Sequence, residues 1–447
     1  MSKKKFENLP VVNGYAAGID VGSRSHYVAI GQDPEKDVCE FGVYSTDHQK
    51  MVDYLKEHQI KTIAMESTGS YWQSLFTKLQ NEGFEVWLVS GHQTRNVRAK
   101  TDVKDCIWIQ KLHSLGLLRG CFLPDTPTSR LRNLYRHRLF LIEESARMSN
   151  KMQAALRLMN FRLDVVVSDI TGKTGIRILT AILEGETEGI KLAQLADARV
   201  KKSKEEIASA LIGEVDQELL HELRDCYQLY LSYQEKIKVA DEKIAGLLDG
   251  FTDNTVIESG TQITKKQTKG KNQPKFDLPA LSYKLFGTDL FAIDCISSST
   301  VLTLICEIGT GIYKFQSAKQ FTSYLRLAPN NRVSGNKVIS SRTPKGTNRL
   351  ALALRNAANT IDRLKEGTLT SFFKRIAYKK GRGAAITATA RKLAVIIWNM
   401  VVKKEPFNPI DNTLYQEMIK ARKIASIKKT MQKMGITAQH LELDSGS

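Results

Sequence analysis

Leu219, Leu223, Cys226, Tyr230, Tyr233, Ile237, Ala240, Ile244 and Leu247 succeed one another at alternating steps of four and three residues. An α-helix turns that spacing into one continuous apolar seam, which must be buried against a partner helix. Leu131, Leu134, Leu141, Met148, Met152, Ala155 and Met159 form a similar seam, interrupted by Arg138 and Ser145. Residues 129–251 are therefore expected to hold long helices. They pack on each other as a hairpin, or they also join two copies of the chain as a dimerisation segment.

Ahead of the seams the pattern changes. Residues 1–128 are expected to form an α/β domain. Two short strands flank a Gly-containing turn between Tyr15 and Gly31, and a third runs from Val38 to Tyr44. Thr46 and Gln49 have the spacing of a capping box for a helix through His58. Thr62–Met65 and Val86–Val89 read as further strands, separated by a helix from Ser70 to Gly83. A basic loop carrying Arg95, Arg98 and Lys100 leads to Thr101, an N-cap for a helix ending near Gly116. Cys121-Phe122-Leu123 is a candidate closing strand. Strands alternating with helices predict a mixed or parallel sheet covered by helices.

Lys and Arg number 66 against 47 Asp and Glu, a formal charge of +19. A chain this basic needs a polyanion partner, and no stretch approaches the ~18 apolar residues of a membrane span, so nucleic acid is expected rather than a membrane. The six cysteines include no C-x-x-C pair and the eight histidines no H-x₃-H pair. That excludes a disulfide framework and a zinc site, and it points to a reducing cytosol.

Beyond the seams, residues 252–284 are expected to be a basic linker or insertion, since Ser259–Phe276 holds five lysines and no acid. Residues 285–410 resume apolar helices around a polar loop from Pro329 to Asn348. The tail, 411–447, places Ile424, Ile427, Met431 and Met434 on one helical face among lysines, a surface suited to nucleic acid or a partner.

Four carboxylates stand apart by position. Asp20 lies within an apolar strand, Glu66 ends another, and Asp102 and Asp105 share one face of a first helical turn. An Asp in an apolar strand costs several kcal/mol unless something satisfies it. The ends of strands in an α/β sheet are where ligands collect. Carboxylates without His or Cys suit Mg²⁺ or Mn²⁺, and two such ions can assist phosphoryl transfer. Each acid also has an ordinary use: Asp102 on the helix dipole, Asp105 on the surface, Glu66 as a turn cap.

Gly18-Ile19-Asp20-Val21-Gly22, Met65-Glu66-Ser67-Thr68-Gly69 and Lys100-Thr101-Asp102-Val103-Lys104-Asp105 resemble the four-acid DEDD motif of a family of bacterial insertion-sequence transposases. That family joins a ribonuclease H-like (RuvC-type) domain to a mainly helical C-terminal transposase domain. Phe315–Phe321, Tyr324-Leu325-Arg326-Leu327-Ala328-Pro329, Ser334-Gly335 and Lys345-Gly346 resemble its second half. The resemblance covers roughly 15–160 and 285–405 of the chain. It implies that Asp20, Glu66, Asp102 and Asp105 hold Mg²⁺ and that Ser334 is a nucleophile toward DNA phosphate. It also implies target and donor DNA as partners, a structured guide RNA from the mobile element, and homodimers or homotetramers.

The residues alone support Ser334 less strongly, because Ser340 and Ser341 lie nearby and a Ser beside Gly is ordinary turn chemistry. Arg332, Lys337, Arg342, Lys345 and Arg349 crowd the same loop, a field that would bind a phosphate and ease deprotonation of a hydroxyl, or would simply contact DNA backbone. The chain departs from the family at Ile293–Ser297, where relatives carry a Gly-rich hairpin, and at Arg326, where Gly is usual. Three other readings stay open: a junction-resolving nuclease using water, a sugar-kinase or actin-like ATPase, and a non-enzymatic scaffold.

Overall fold

The structure, a computed structural model, describes residues 9–67, 69–94, 101–252, 263–264, 270–364, 367–408 and 412–434. It divides into two compact units, 1–123 and 124–447.

The first unit runs β1 (Ala16–Val21), β2 (His26–Ala29), β3 (Val38–Phe41), α1 (Ser45–Glu57), β4 (Thr62–Glu66), α2 (Trp72–Asn81), β5 (Glu85–Val89), α3 (Gly91–Thr94) and α4 (Asp102–Ser114). Among the described residues its sheet has five strands in the order β3-β2-β1-β4-β5. The β1–β2 and β2–β3 pairs are antiparallel, whereas β1–β4 and β4–β5 are parallel. This is the mixed, helix-covered sheet expected. Alternation along the strands separates two faces. Ile19, Val21, Ile63 and Met65 bury themselves under α1 and α2, with Met51, Leu55, Leu75 and Leu79. Ala64 and Val89 turn the other way and pack with Ile109 and Leu112 of α4.

Two local expectations are corrected. The helix α1 is capped at Tyr44, not Thr46, and the Asp47 carboxylate accepts the Tyr44 amide at 3.4 Å. Cys121–Leu123 forms no strand; the Cys121 N–H donates to the Leu88 carbonyl at 2.6 Å.

The second unit opens on α5 (Thr126–Leu158), followed by the short helices α6 (Leu163–Val166), α7 (Lys173–Leu183), α8 (Gly189–Gln194) and α9 (Lys204–Ala210), then α10 (Gln217–Thr252). The two seams close on one another as an antiparallel pair. Their polar interruptions are matched. Arg138 and Asp241, both nearly fully buried, form a salt bridge, and Gln234 Nε2 donates to Ser145 Oγ at 2.7 Å. One heptad forward on α5 thus meets one heptad back on α10, so the polar layers set the register. The α6–α9 helices were not anticipated. They wrap the end of the hairpin around Phe161, Ile178, Leu179, Ile182 and Leu192.

The rest of the unit comprises α11 (Leu278–Phe286), α12 (Ser298–Glu307), α13 (Ala318–Tyr324), β6 (Arg332–Ser334), β7 (Lys337–Ser340), α14 (Arg349–Ile361), α15 (Thr368–Lys380), α16 (Arg382–Val402) and α17 (Asn412–Met434). The segment expected as linker thus includes α11, and part of it lies outside the described residues. α16 is long and apolar enough to cross a membrane by length and composition. Half of that helix is buried, with Leu393, Ala394, Ile397 and Val401 in the core and α13, α14 and α15 packed along it.

Candidate active site

Gly18 explains how the acidic end is built. A Cβ there would lie 2.2 Å from the Gln110 nitrogen and 2.5 Å from the Cys106 carbonyl oxygen, so the backbone of α4 rests directly on β1. Gln110 fastens the contact by donating from Nε2 to the carbonyls of Ala16, at 3.2 Å, and Ile30, at 3.4 Å. Asp20 lies two residues beyond Gly18 and Glu66 two beyond Ala64, so both share the face that α4 covers. Gln110 meets the start of β1, so α4 runs antiparallel to the strand and brings Asp102 and Asp105 to its far end. Thr101 caps the helix as expected, accepting the Lys104 amide at 3.3 Å.

The fields of these acids reach shared neighbours. Burial pushes the Cys106 thiol up to about 12, and Asp20 and Asp105 both add to the rise. The Tyr27 hydroxyl is held above its ordinary value, first by its hydrogen bond to Glu40, with Asp102 among the further causes. Tyr27 is the cross-strand partner of Asp20. Asp20 and Asp105 therefore act on Cys106, and Asp102 on Tyr27. Glu66 lies one strand over and is held by Thr94 of α3, whose Oγ1 donates to Oε2 at 2.6 Å. Gly91 leaves room for it, since a Cβ there would meet Glu66 Oε1 at 2.5 Å.

The donor chemistry fits a hard divalent ion, being all carboxylate oxygen. The arrangement is open: among the described residues no group of three His, Cys, Asp or Glu side chains is gathered to hold a metal ion. Arg95, Arg98 and Lys100 lie outside the described residues.

The segment expected as a polar loop around Ser334 folds as a hairpin. Strands β6 and β7 form an antiparallel hairpin with Ser334 opposite Lys337. Gly335 and Asn336 both have positive φ, 51° and 61°, the geometry of a two-residue type I′ turn. Gly-Asn between Val333 and Val338 was the available signal, masked by the charged residues around it. Ser334 is exposed at the tip. Ser340 accepts the Arg342 amide at 3.4 Å, so its oxygen already serves a local turn. Arg332 and Lys337 lie on the hairpin itself. Asn330 N–H donates to the Arg342 carbonyl at 3.0 Å, closing the base.

Below the base, Arg326 has φ +56° and holds the Lys345 carbonyl through its guanidinium. Cys295 also has positive φ, at 69°. Both departures from the family pattern thus occupy left-handed backbone, which glycine adopts without cost. Arg349 is drawn elsewhere. It joins Arg132 and Arg136 around the buried Glu307, whose carboxylate accepts from Arg136 at 2.9 and 2.7 Å.

A mixed five-stranded sheet covered by helices defines the first unit as a ribonuclease H-like domain. Residues 17–161 match the model of the DEDD transposase domain of the IS110 type, and residues 288–373 match that of the transposase IS116/IS110/IS902 family. The chain belongs to this family of insertion-sequence transposases, enzymes that act on DNA. No curated protein matches the sequence.

Proposed function

We propose that this transposase cuts and rejoins DNA strands with Ser334 as nucleophile and Asp20, Glu66, Asp102 and Asp105 as the holders of Mg²⁺ or Mn²⁺. The observation that carries the reading is the pairing of an all-oxygen acidic end in the first unit with an exposed serine on a basic hairpin in the second. A bound divalent ion would offset negative charge on the phosphate and on the leaving oxygen.

The chain's own groups do the rest. Lys337, opposite Ser334, places positive charge beside the hydroxyl and the phosphate it meets. A bond forms from Ser334 Oγ to phosphorus as a bond from phosphorus to a sugar oxygen breaks. The serine proton leaves to solvent and the departing oxygen takes one up. The protein–DNA ester conserves the energy for rejoining, which water as nucleophile would discard.

A structured guide RNA from the mobile element is supported by the family resemblance and the +19 charge. Dimers or tetramers with a site shared between subunits are supported by the acids and Ser334 lying in different units. Phe140, Leu229 and Leu231 remain exposed on the helical hairpin and offer a surface for assembly.

The test is a covalent adduct. Strand cleavage by the wild type should leave protein on DNA after denaturation, and Ser334→Ala should lose adduct and product together. Mixing Asp102→Asn with Ser334→Ala protein should restore part of the activity. A dead mixture in which both proteins still assemble on DNA removes the shared site. Cleavage by Ser334→Ala that leaves free ends makes the enzyme a water-using nuclease instead.

A further inference from the structure

The corner between α15 and α16 lies beyond residue 373, where the second family match ends. From Gly367 to Lys404 the chain has nine Lys or Arg residues and no Asp or Glu. At the end of α15 stands Tyr378, 93% exposed, the most exposed large apolar side chain among the described residues. A tyrosine ring held fully in water forgoes burial of an aromatic face, which a binding surface has reason to keep available.

Its surroundings are cationic by construction. Lys374 and Arg375 lie one helical turn before Tyr378 and so flank it on the same side. Lys379 and Lys380 follow it, and Gly381 with φ +83° turns the chain sharply into α16. Arg375 and Lys392 share the Phe372 ring, at 5.6 and 4.7 Å from its centroid. Two cations on one ring repel each other. Burial first, and then Arg375, hold Lys392 below its ordinary value.

The corner is also rigid. Arg382, the first residue of α16, donates to Asp362 at 2.5 Å and to Asn359 at 2.9 Å, and stacks over Phe373. That anchor uses one cation, and among the described residues no salt bridge joins an acid to Lys374, Arg375, Lys379 or Lys380.

Duplex backbone would need only the charges. An exposed aromatic ring among cations matches the face of an unstacked base between phosphates. We propose that this corner grips an unpaired stretch of DNA strand, with Tyr378 stacked on a base and Lys374, Arg375, Lys379 and Lys380 on the flanking phosphates. The inference needs DNA as the partner but neither Ser334 nor the carboxylates, so its failure leaves the proposed chemistry standing.

The experiment uses the full chain and a single-stranded DNA oligonucleotide carrying 2-aminopurine, with a duplex and an RNA of the same sequence beside it. Tyr378→Ala should weaken single-strand binding about tenfold and abolish quenching of the 2-aminopurine, while Tyr378→Phe stays within about twofold. Duplex binding and the melting temperature should not change. Replacing Lys379 and Lys380 with Gln should flatten the salt dependence of single-strand binding. Tyr378→Ala that binds and quenches like the wild type overturns the proposal. So does a loss equal for single strand and duplex, which would mark the corner as a charge surface only. A loss confined to the RNA reassigns it to a different partner and equally overturns it.

Discussion

The acidic end of the first unit and the serine hairpin of the second are built in opposite ways. Asp20 stands on a buried strand, with the backbone of α4 pressed against Gly18 beneath it. Ser334 stands at the exposed tip of a two-stranded ribbon held at its base by Asn330, Arg326 and the turn itself. The placement of Asp20 therefore depends on the packing of α4 on β1, and damage to that packing should reach the acid. The serine can be altered without the fold registering it. A group on a core strand is positioned before substrate arrives, whereas a group on a hairpin can travel to it.

The sharpest way to break this contrast is Gly18→Val. The new side chain meets the α4 backbone, which has no flexible tip to yield, so the helix must lift off the sheet. We expect a loss of about 3 kcal/mol or more, and recombination should fall with it. Thermal melting and strand exchange measured on the same preparations check the coupling. A variant that folds normally but recombines poorly, or the reverse, would show that acid placement and core packing are separable.

On the serine side the nearest equivalent is Glu307→Gln. Glu307 is buried and pairs with Arg132, Arg136 and Arg349, the last of which begins the helix that follows the hairpin. Removing its charge leaves three arginines facing one another. Two of them reach solvent, so we expect about 2 kcal/mol rather than the full cost of a broken buried pair. Urea titration reads the change, which should shrink at high salt as the arginines are screened.

These two anchors also mark what the sequence made legible. The α/β pattern, the Thr101 cap and the helical seams followed from local periodicity. Gly18 was visible as a motif residue, but its use as a landing place for α4 depends on a helix some ninety residues away. Thr94, which holds Glu66, carried no signal for the same reason. Arg138 and Ser145 interrupt the seam in sequence, and their partners Asp241 and Gln234 lie about ninety to a hundred residues away. The β6–β7 hairpin was readable in Gly335-Asn336, but Arg and Lys on both sides hid the alternation.

Acid should separate the units further. Burial lowers His26 to about 4, with His48 adding to the effect, and burial likewise lowers His113 to about 4. Both lie in the first unit. An unfolded histidine takes a proton near its ordinary 6.5, while these refuse it until about 4. Their contribution is thus complete above pH ~6.5 and is lost as pH falls toward 4, on the order of 2 kcal/mol for each. Hydrogen exchange on the full chain should show β1 and β2 losing protection across that window before α14 and α16 do. His26→Phe should remove part of the slope. Simultaneous loss in both units would place the sensitive groups elsewhere.

Arg326→Gly offers the smallest effect and the finest comparison. At φ +56° an arginine carries a backbone strain of about 1 kcal/mol that glycine avoids. The same side chain, however, donates to the Lys345 carbonyl in the segment that follows the hairpin. The two terms oppose each other, so global stability should move by less than about 1 kcal/mol. The hairpin itself should loosen. Exchange of the Arg342 and Lys345 amides, or proteolysis within 330–346, should quicken while the α12–α14 core stays protected. Because Ser334 rides on that ribbon and the four acids do not, adduct formation should slow severalfold with no change at the acidic end. Unchanged exchange together with an unchanged adduct rate would mean that the turn and the Asn330 bond hold the serine unaided.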